Sequence, residues 1–372
     1  MKFVVAPDSY KGNLRSARVG EIVREAILRE MPEATVETFP MGDGGEGTVE
    51  ALTLATGGET RHCDVCGPLG GCVRAAYGIL PDGTVAAEMA SASGIELLPE
   101  DALDPMAATT YGTGELLRRI LEEGARRIVL GIGGSATVDG GVGMLQALGF
   151  RFLDDAGERI LERGGAALRR IASVDDSGAM PELKSARLLV ACDVVNPLTG
   201  PAGAARVFGP QKGATPEMVE RLDAGLRRLR EAAGAEERPG DGAAGGLGYA
   251  LRVFCGAEMR SGARLVAETA GVDRALIDAD WLIVGEGRTD EQTASGKLCA
   301  VLAEMARERG VRTLLLSGAL RGTMESFFDT FDLAHSISSG EGSLPEAMAK
   351  APENLAFAVR NVVRALRYGE KD

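Results

Sequence analysis

Six times in these 372 residues a run of apolar side chains is followed at once by a loop of glycines or other turn residues, and five of the six loops carry acids. "KFVVA" runs into "PDSYKG", "TVETFPM" into "GDGGEGT", and "RRIVLGI" into "GGSATVDGG". "ARLLVA" runs into "CDVVNP", "ADWLIV" into "GEGRTDEQ", and "VRTLLLS" into "GALRG". Carboxylates so placed can hold a divalent cation or accept a proton from a hydroxyl, and a lysine can stabilise a group that transfers with its charge. Glycines let backbone N–H groups approach phosphate oxygens closely. A single such loop reads best as a turn or helix cap. Six with one chemical bias read as the walls of a phosphoryl-transfer site.

The residues that could do chemistry are Asp8, Lys11, Asp43, Glu46, Asp139, Asp193, Glu286 and Asp290. Other chemistries find little support. There are only two histidines, His62 and His335, and neither lies in a Gly-rich loop, so a histidine base or a multi-histidine metal site is excluded. The cluster "HCDVCGPLGGC" has zinc-like residues, but it reads better as a hairpin about a "GPLGG" turn carrying small buried thiols. No Walker A motif is present: "QTASGKL" has Gly296 and Lys297, with Leu298 where Ser or Thr is required and Glu291 where the first glycine belongs. A competing reading is a dinucleotide oxidoreductase. Gly131, Gly133 and Ala136 match G-x-G-x-x-A after a strand, and Asp154 lies where a ribose-binding acid would be expected.

The elements that must carry these loops are legible as buried strands alternating with helical periodicity over 16–30, 114–124, 216–233 and 297–309. That alternation predicts an α/β fold of mainly parallel sheets covered on both faces. Ligands of such sheets bind beyond the carboxyl ends of the strands, where the acids are. Residues 1–58 supply only two strands, too few for a sheet, and three more lie near the end of the chain. The expected organisation is two α/β/α domains. A Rossmann-like domain of 1–58 plus 279–372 is interrupted by an inserted α/β domain of 59–278. The stretch "PGDGAAGGLG" is too rich in glycine for an ordinary linker or element.

A net charge of −13 excludes a nucleic-acid-binding surface, and no apolar run is long enough to span a membrane. Six irregularly spaced cysteines and a first segment that goes straight into a strand point to a reducing, cytoplasmic setting. Of the 41 basic residues only seven are lysine, leaving 34 arginines. Each lysine retained in a loop, Lys11 and Lys212 above all, therefore suggests a site that requires a compact ammonium.

The blocks "APDSYKGNLRSA", "PMGDGGEGT", "TYGTGELL", "LGIGGSATVDGGVGMLQALG", "ACDVVNPLTGPAGAARVFGPQKGA", "GAAGGLG" and "GEGRTDEQTASGK" resemble, in order, those of the bacterial glycerate kinase family. The resemblance implies transfer of the γ-phosphoryl of ATP to D-glycerate, with Mg²⁺, in a cleft between two α/β domains. The product it implies is 2-phosphoglycerate. Joined to the residues, it makes Asp193 the base, with Lys11, Lys212 and Arg288 on the substrate carboxylate and the moving phosphoryl group. Asp43 and Glu286 become the metal ligands. Gly44, Gly45, Glu46 and Gly47, together with Gly133, Gly134 and Ser135, become phosphate cradles. Asp8, Ser9, Asp139, Asn196, Gln211, Gly287, Asp290 and Lys297 complete the substrate and nucleotide contacts. Val138 stands where asparagine is usual in the family, Gly42 where alanine is, and Tyr10 where phenylalanine is common.

Overall fold

The computed structural model describes residues 1–10, 12–42, 47–290, 298–338 and 343–369. Among these residues the chain divides into two compact units. One comprises 1–43, 50–57 and 263–372, the other 44–49 and 58–262. The sequence reading put the second boundary at 278–279; the first unit as it packs also takes in the helix that begins at Gly262.

The first unit is built on a five-stranded, wholly parallel sheet. Its strands are β1 (Lys2–Val5), β2 (Thr35–Thr38), β11 (Trp281–Glu286), β13 (Arg312–Ser317) and β15 (Leu333–Ser336), in the order β15-β13-β11-β1-β2. Side chains alternate across a strand, and here both faces are apolar. Phe3, Val5, Trp281, Ile283, Leu314 and Leu316 pack with the helices Ser16–Glu30 and Ala351–Gly369. Val4, Leu282, Val284 and Leu315, pointing the other way, are equally buried, and the helix Leu298–Arg307 lies against β11 and β13. The chain therefore leaves β1 toward β2 on one side and returns through β11 on the other. The strand order reverses between β1 and β11, which is where such sheets open a ligand crevice.

The second unit has a six-stranded mixed sheet. The strands are β3 (Glu59–Cys66), β4 (Cys72–Ile79), β5 (Val85–Glu88), β6 (Arg127–Gly131), β9 (Arg187–Ala191) and β10 (Glu258–Arg260). The strands β5, β6, β9 and β10 are parallel, while β3 and β4 form the expected antiparallel hairpin at one edge. A small antiparallel pair, β7 (Arg151–Leu153) and β8 (Ser173–Asp175), lies outside it. A parallel pair, β12 (Thr289–Asp290) and β14 (Leu320–Arg321), belongs to the first unit. The hairpin thiols are less buried than expected: Cys63 and Cys66 are half-buried on the edge strand β3, and Cys72 is exposed at the end of β4 that runs beyond its pairing with β5. No group of three or more metal-ligating side chains occurs among the described residues, and no described helix is long and apolar enough to cross a membrane.

The Gly-rich stretch 239–248 enters the helix Ala243–Cys255, whose first turn is not helical. Ala244, Gly245 and Gly246 all have positive φ. A Cβ on Gly245 would stand 2.0 Å from the Thr137 carbonyl oxygen, so only glycine lets this backbone close on the loop after β6. Ala244, at φ 51, holds a conformation costly for any residue with a side chain.

Candidate functional site

In the first unit, β1 and β11 carry acids to the point where strand order reverses. Val5 pairs with Ile283, and the pairing continues as the Asp8 N–H donates to the Gly285 carbonyl at 2.8 Å, which sets Asp8 beside Glu286. Both side chains are half-buried. The Ser9 N–H donates to Asp8 Oδ1 at 2.6 Å. The Thr289 hydroxyl lies 2.9 Å from Glu286 Oε1 and 2.9 Å from the Ser317 hydroxyl, so the end of β13 braces the end of β11. Behind the acids stand Tyr10, whose phenol donates to the Leu316 carbonyl at 3.0 Å, and Cys299. Burial pushes the Cys299 thiol well up, and the charges of Glu286 and Asp8 push the same way. Burial, Cys299 and Glu286 likewise raise the Tyr10 phenol. These two groups are therefore a neutral, dry wall behind the carboxylates. Gly287 is half-buried and Asp290 half-buried, while Arg288 is exposed and lies 3.9 Å from Asp290.

In the second unit, β6 ends at Gly131 and the chain turns through Gly133, Gly134 and Ser135. The Ile95 N–H donates to the Gly134 carbonyl, and the Ala136 N–H to the Ser93 carbonyl, so the loop is pinned to the segment that follows β5. Gly134 has φ +72 and is exposed, whereas Ser135 is buried. Lys212 reaches this loop from the turn Pro210–Lys212. Its ammonium donates to Ser135 Oγ at 2.6 Å and to the Thr137 carbonyl at 2.7 Å. Lys212 is only 2% exposed. Burial lowers its pKa to about 7, against the opposing pull of Asp139. The nearby Thr137 hydroxyl is buried and has no hydrogen-bond partner among the described residues.

Asp139 is completely buried. Its Oδ2 accepts from the Thr110 N–H at 2.8 Å, the Thr110 hydroxyl at 2.9 Å and the Gly143 N–H at 3.3 Å, and the Thr109 hydroxyl lies at 3.4 Å. Its Oδ1 accepts from the Gly141 N–H at 3.1 Å. Burial pushes this carboxyl up, and the ring of donors opposes it. Its acceptor capacity is taken up by its own loop and by residues 109–110, so its carboxylate ties that loop to residues 109–110. Val138 is likewise wholly buried, in the apolar core.

Asp193, after β9, has an exposed side chain, and its Oδ1 accepts from the Gly262 N–H at 2.9 Å. Asn196 donates to the Ala202 carbonyl at 2.9 Å and receives the Gly242 N–H on its own carbonyl, holding the loop's shape. Gln211 is exposed. Lys11, Asp43, Gly44, Gly45, Glu46 and Lys297 lie outside the described residues. Gly47, with φ +86, donates its N–H to Glu88.

Glu88 was missed by sequence reasoning. It ends β5, is 7% exposed, and its carboxylate accepts the N–H groups of Gly47 and Val49 at the start of the helix Thr48–Thr56. Negative charge is favourable there. The signal was available: "TVAAEMASASG" is one more apolar run ending in an acid, concealed because two alanines make it look weakly strand-like.

The dinucleotide reading is overturned. After the G-x-G-x-x-A match no helix opens until Val142, and that one has six residues, so the pyrophosphate would meet no helix N-terminus. Asp154 is occupied in a turn, accepting from Ala156 and Glu158 N–H groups and pairing with Arg170 at 3.1 Å.

Comparisons with known proteins run the length of the chain. A profile described as the glycerate kinase family matches residues 3–367. The Glycerate 2-kinase of Escherichia coli (strain K12) is 42% identical over 380 residues, covering 100% of both chains. The Glycerate kinase of Bacillus subtilis (strain 168) is 41% identical over 375 residues, covering 99% of this chain and 98% of its own. A crystal structure of a Salmonella typhimurium LT2 protein assigned as glycerate kinase 2 superposes with a TM-score of 0.90 at 43% identity, covering 100% of each chain.

Proposed function

The chain belongs to the glycerate kinase family, and from that premise we propose that it transfers the γ-phosphoryl of ATP to D-glycerate, giving 2-phosphoglycerate. The observation that carries the reading is full-length likeness to glycerate kinases at about 40% identity, with both units included. In the step itself a glycerate hydroxyl oxygen bonds to the γ-phosphorus while the bond from that phosphorus to the bridging oxygen breaks. ADP leaves with the electron pair. The hydroxyl proton passes to Asp193, a carboxylate at a strand's carboxyl end whose side chain is open to solvent.

Mg²⁺ suits the donor set: hard oxygen ligands, with one or two carboxylates sufficing when phosphates supply the rest. Glu286 and Asp8, side by side at the ends of β11 and β1, would hold it together with Asp43. When bound, the ion would neutralise charge on the phosphate oxygens. The exposed backbone at Gly134, next to Gly133 and the buried Ser135, suits a phosphate cradle; Gly44, Gly45 and Glu46 are assigned the same role. Lys212 supplies positive charge from behind that cradle, and Lys11 and Arg288 take the substrate carboxylate and the moving phosphoryl group. Asp139 and Glu88 position these loops.

The test is a coupled assay for ADP with a phosphorus NMR spectrum of the product. ADP release should depend on D-glycerate, stop with EDTA, and yield the phosphorus signal of a phosphate on carbon 2. A carbon-3 phosphate would overturn the product assignment, and ATP turnover indifferent to glycerate would overturn the substrate.

A further inference from the structure

Cys66 and Cys72 lie outside every role assigned above. They end the two strands of the β3–β4 hairpin and stand directly opposite each other in its register. The next pair outward, Gly67 and Gly71, is joined by a hydrogen bond from the Gly67 N–H to the Gly71 carbonyl. Antiparallel pairs alternate between hydrogen-bonded and non-hydrogen-bonded, so Cys66 and Cys72 form a non-hydrogen-bonded pair. The Cys66 N–H agrees: it turns away from β4 and donates to Glu115 Oε2 at 2.7 Å. Non-hydrogen-bonded pairs bring Cα atoms to about 4.5 Å, inside the range of about 4.4–6.8 Å that a disulfide spans. Side chains alternate along β3, so Cys63 points to the other face, where it packs against the core.

The surroundings fit thiol chemistry. Cys72 is exposed and Cys66 half-buried, and both line one surface hollow with Asp64, Gly70, Gly71 and Glu115. The Arg163 guanidinium, stacked on the Tyr111 ring at 3.3 Å, lies 3.7 Å from Cys66 Sγ. Burial pushes the Cys66 thiol up and Arg163 works against that, so the exposed Cys72 is the thiol that meets an oxidant first.

We infer that Cys66 and Cys72 are a thiol–disulfide site, closed reversibly by a low-molecular-weight disulfide. Cys72 attacks one sulfur of that molecule, forming a mixed disulfide and releasing one thiol. Cys66 then attacks the Cys72 sulfur, its developing thiolate stabilised by Arg163, and releases the second thiol. Two protein thiols become one disulfide, and one small disulfide becomes two thiols. The hairpin tip bears on the site in the same unit. The Thr109 N–H donates to the Pro68 carbonyl of the tip, and Thr109 and Thr110 hold Asp139.

The test treats the full chain with oxidised glutathione, alkylates the remaining thiols and digests with trypsin. Cleavage after Arg61 and Arg74 leaves Cys63, Cys66 and Cys72 in one peptide. The expected product is a loop closed between Cys66 and Cys72 with Cys63 alkylated, reopened by dithiothreitol. Cys66→Ser should leave Cys72 trapped as its glutathione mixed disulfide, and Cys63→Ser should leave the loop intact. A loop that includes Cys63, a stable mixed disulfide as the end product of the unsubstituted chain, or no modification would each overturn the inference.

Discussion

The acids at the end of β1 and β11 and the charges around β6 differ in how water reaches them. Asp8 and Glu286 are half-buried, braced by short contacts to Ser9 and Thr289, and still partly open to solvent. Lys212 and Asp139 are sealed. Open carboxylates can exchange water for a cation or a phosphate at modest cost. A sealed ammonium cannot exchange anything, but in a low dielectric its field acts strongly on whatever charge comes near. On the proposed function, the first set would capture ligands and the second would supply electrostatic stabilisation. Asp193 is more open than either set, with its carboxylate tied to the Gly262 N–H.

The largest effect is expected at Asp193. Asp193→Asn keeps an oxygen for the Gly262 N–H but cannot take a proton, so kcat should fall about 10²–10⁴-fold with the fold intact. Unchanged kcat with loosened ATP binding would reassign the residue to the nucleotide. Next comes Lys212→Met, which removes a sealed charge and keeps much of its volume. kcat should fall about 10²–10³-fold, while urea unfolding shows only a modest loss of stability, since the apolar replacement escapes the desolvation cost of the ammonium and leaves the Ser135 and Thr137 acceptors without their donor. Lys212→Arg should also lose about 10-fold or more in kcat/KM, because the sealed space admits no larger planar group, whereas Lys184→Arg and Lys350→Arg should be silent. An unfolded Lys212→Met would mean the charge is structural and would break the comparison.

A smaller effect is expected on the open side. Glu286→Gln should raise the Mg²⁺ concentration for half-maximal rate about 10-fold and weaken Mn²⁺ binding followed by electron paramagnetic resonance, with melting temperature little changed. Unaltered Mn²⁺ binding would remove Glu286 from the metal set. The smallest effect is a pH dependence of stability. Lys212 is lowered to about 7 in the folded chain, so between that pH and the ordinary lysine range the unfolded state binds more protons. Stability should therefore rise with pH across that window and be flat below it, and Lys212→Met should lack that rise. Equal slopes in the two proteins, measured by urea unfolding at stepped pH, would show that Lys212 is not the group responsible.

Much of the frame could be read from the residues. The strands at 2–5, 127–131, 187–191, 281–286 and 312–317 are continuous apolar runs, and the helices Ser16–Glu30 and Pro216–Ala233 follow a clear periodicity. β5 escaped notice because "VAAE" is short and weakly apolar, and Glu88 went with it. The reading of 239–248 as neither linker nor element was partly overtaken: it opens a helix whose distorted first turn is set by contact with residues 137–140.

What the amino-acid sequence determined by itself is local in origin. Periodicity, turn residues and the acids after each strand depend on near neighbours, and a lysine kept among 34 arginines is a matter of composition. Lys212 could be singled out that way. Burial and pairing are long-range, and only the tertiary structure decided them. Asp8 and Glu286 are 278 positions apart and meet because β1 and β11 share a register. In one dimension Asp139 looks like an acid of a ligand site, and Glu88 passes unnoticed. Packing closes the first inside a ring of donors and sets the second on a helix N-terminus, since a buried carboxylate must take its hydrogen bonds from whatever backbone the fold brings to it.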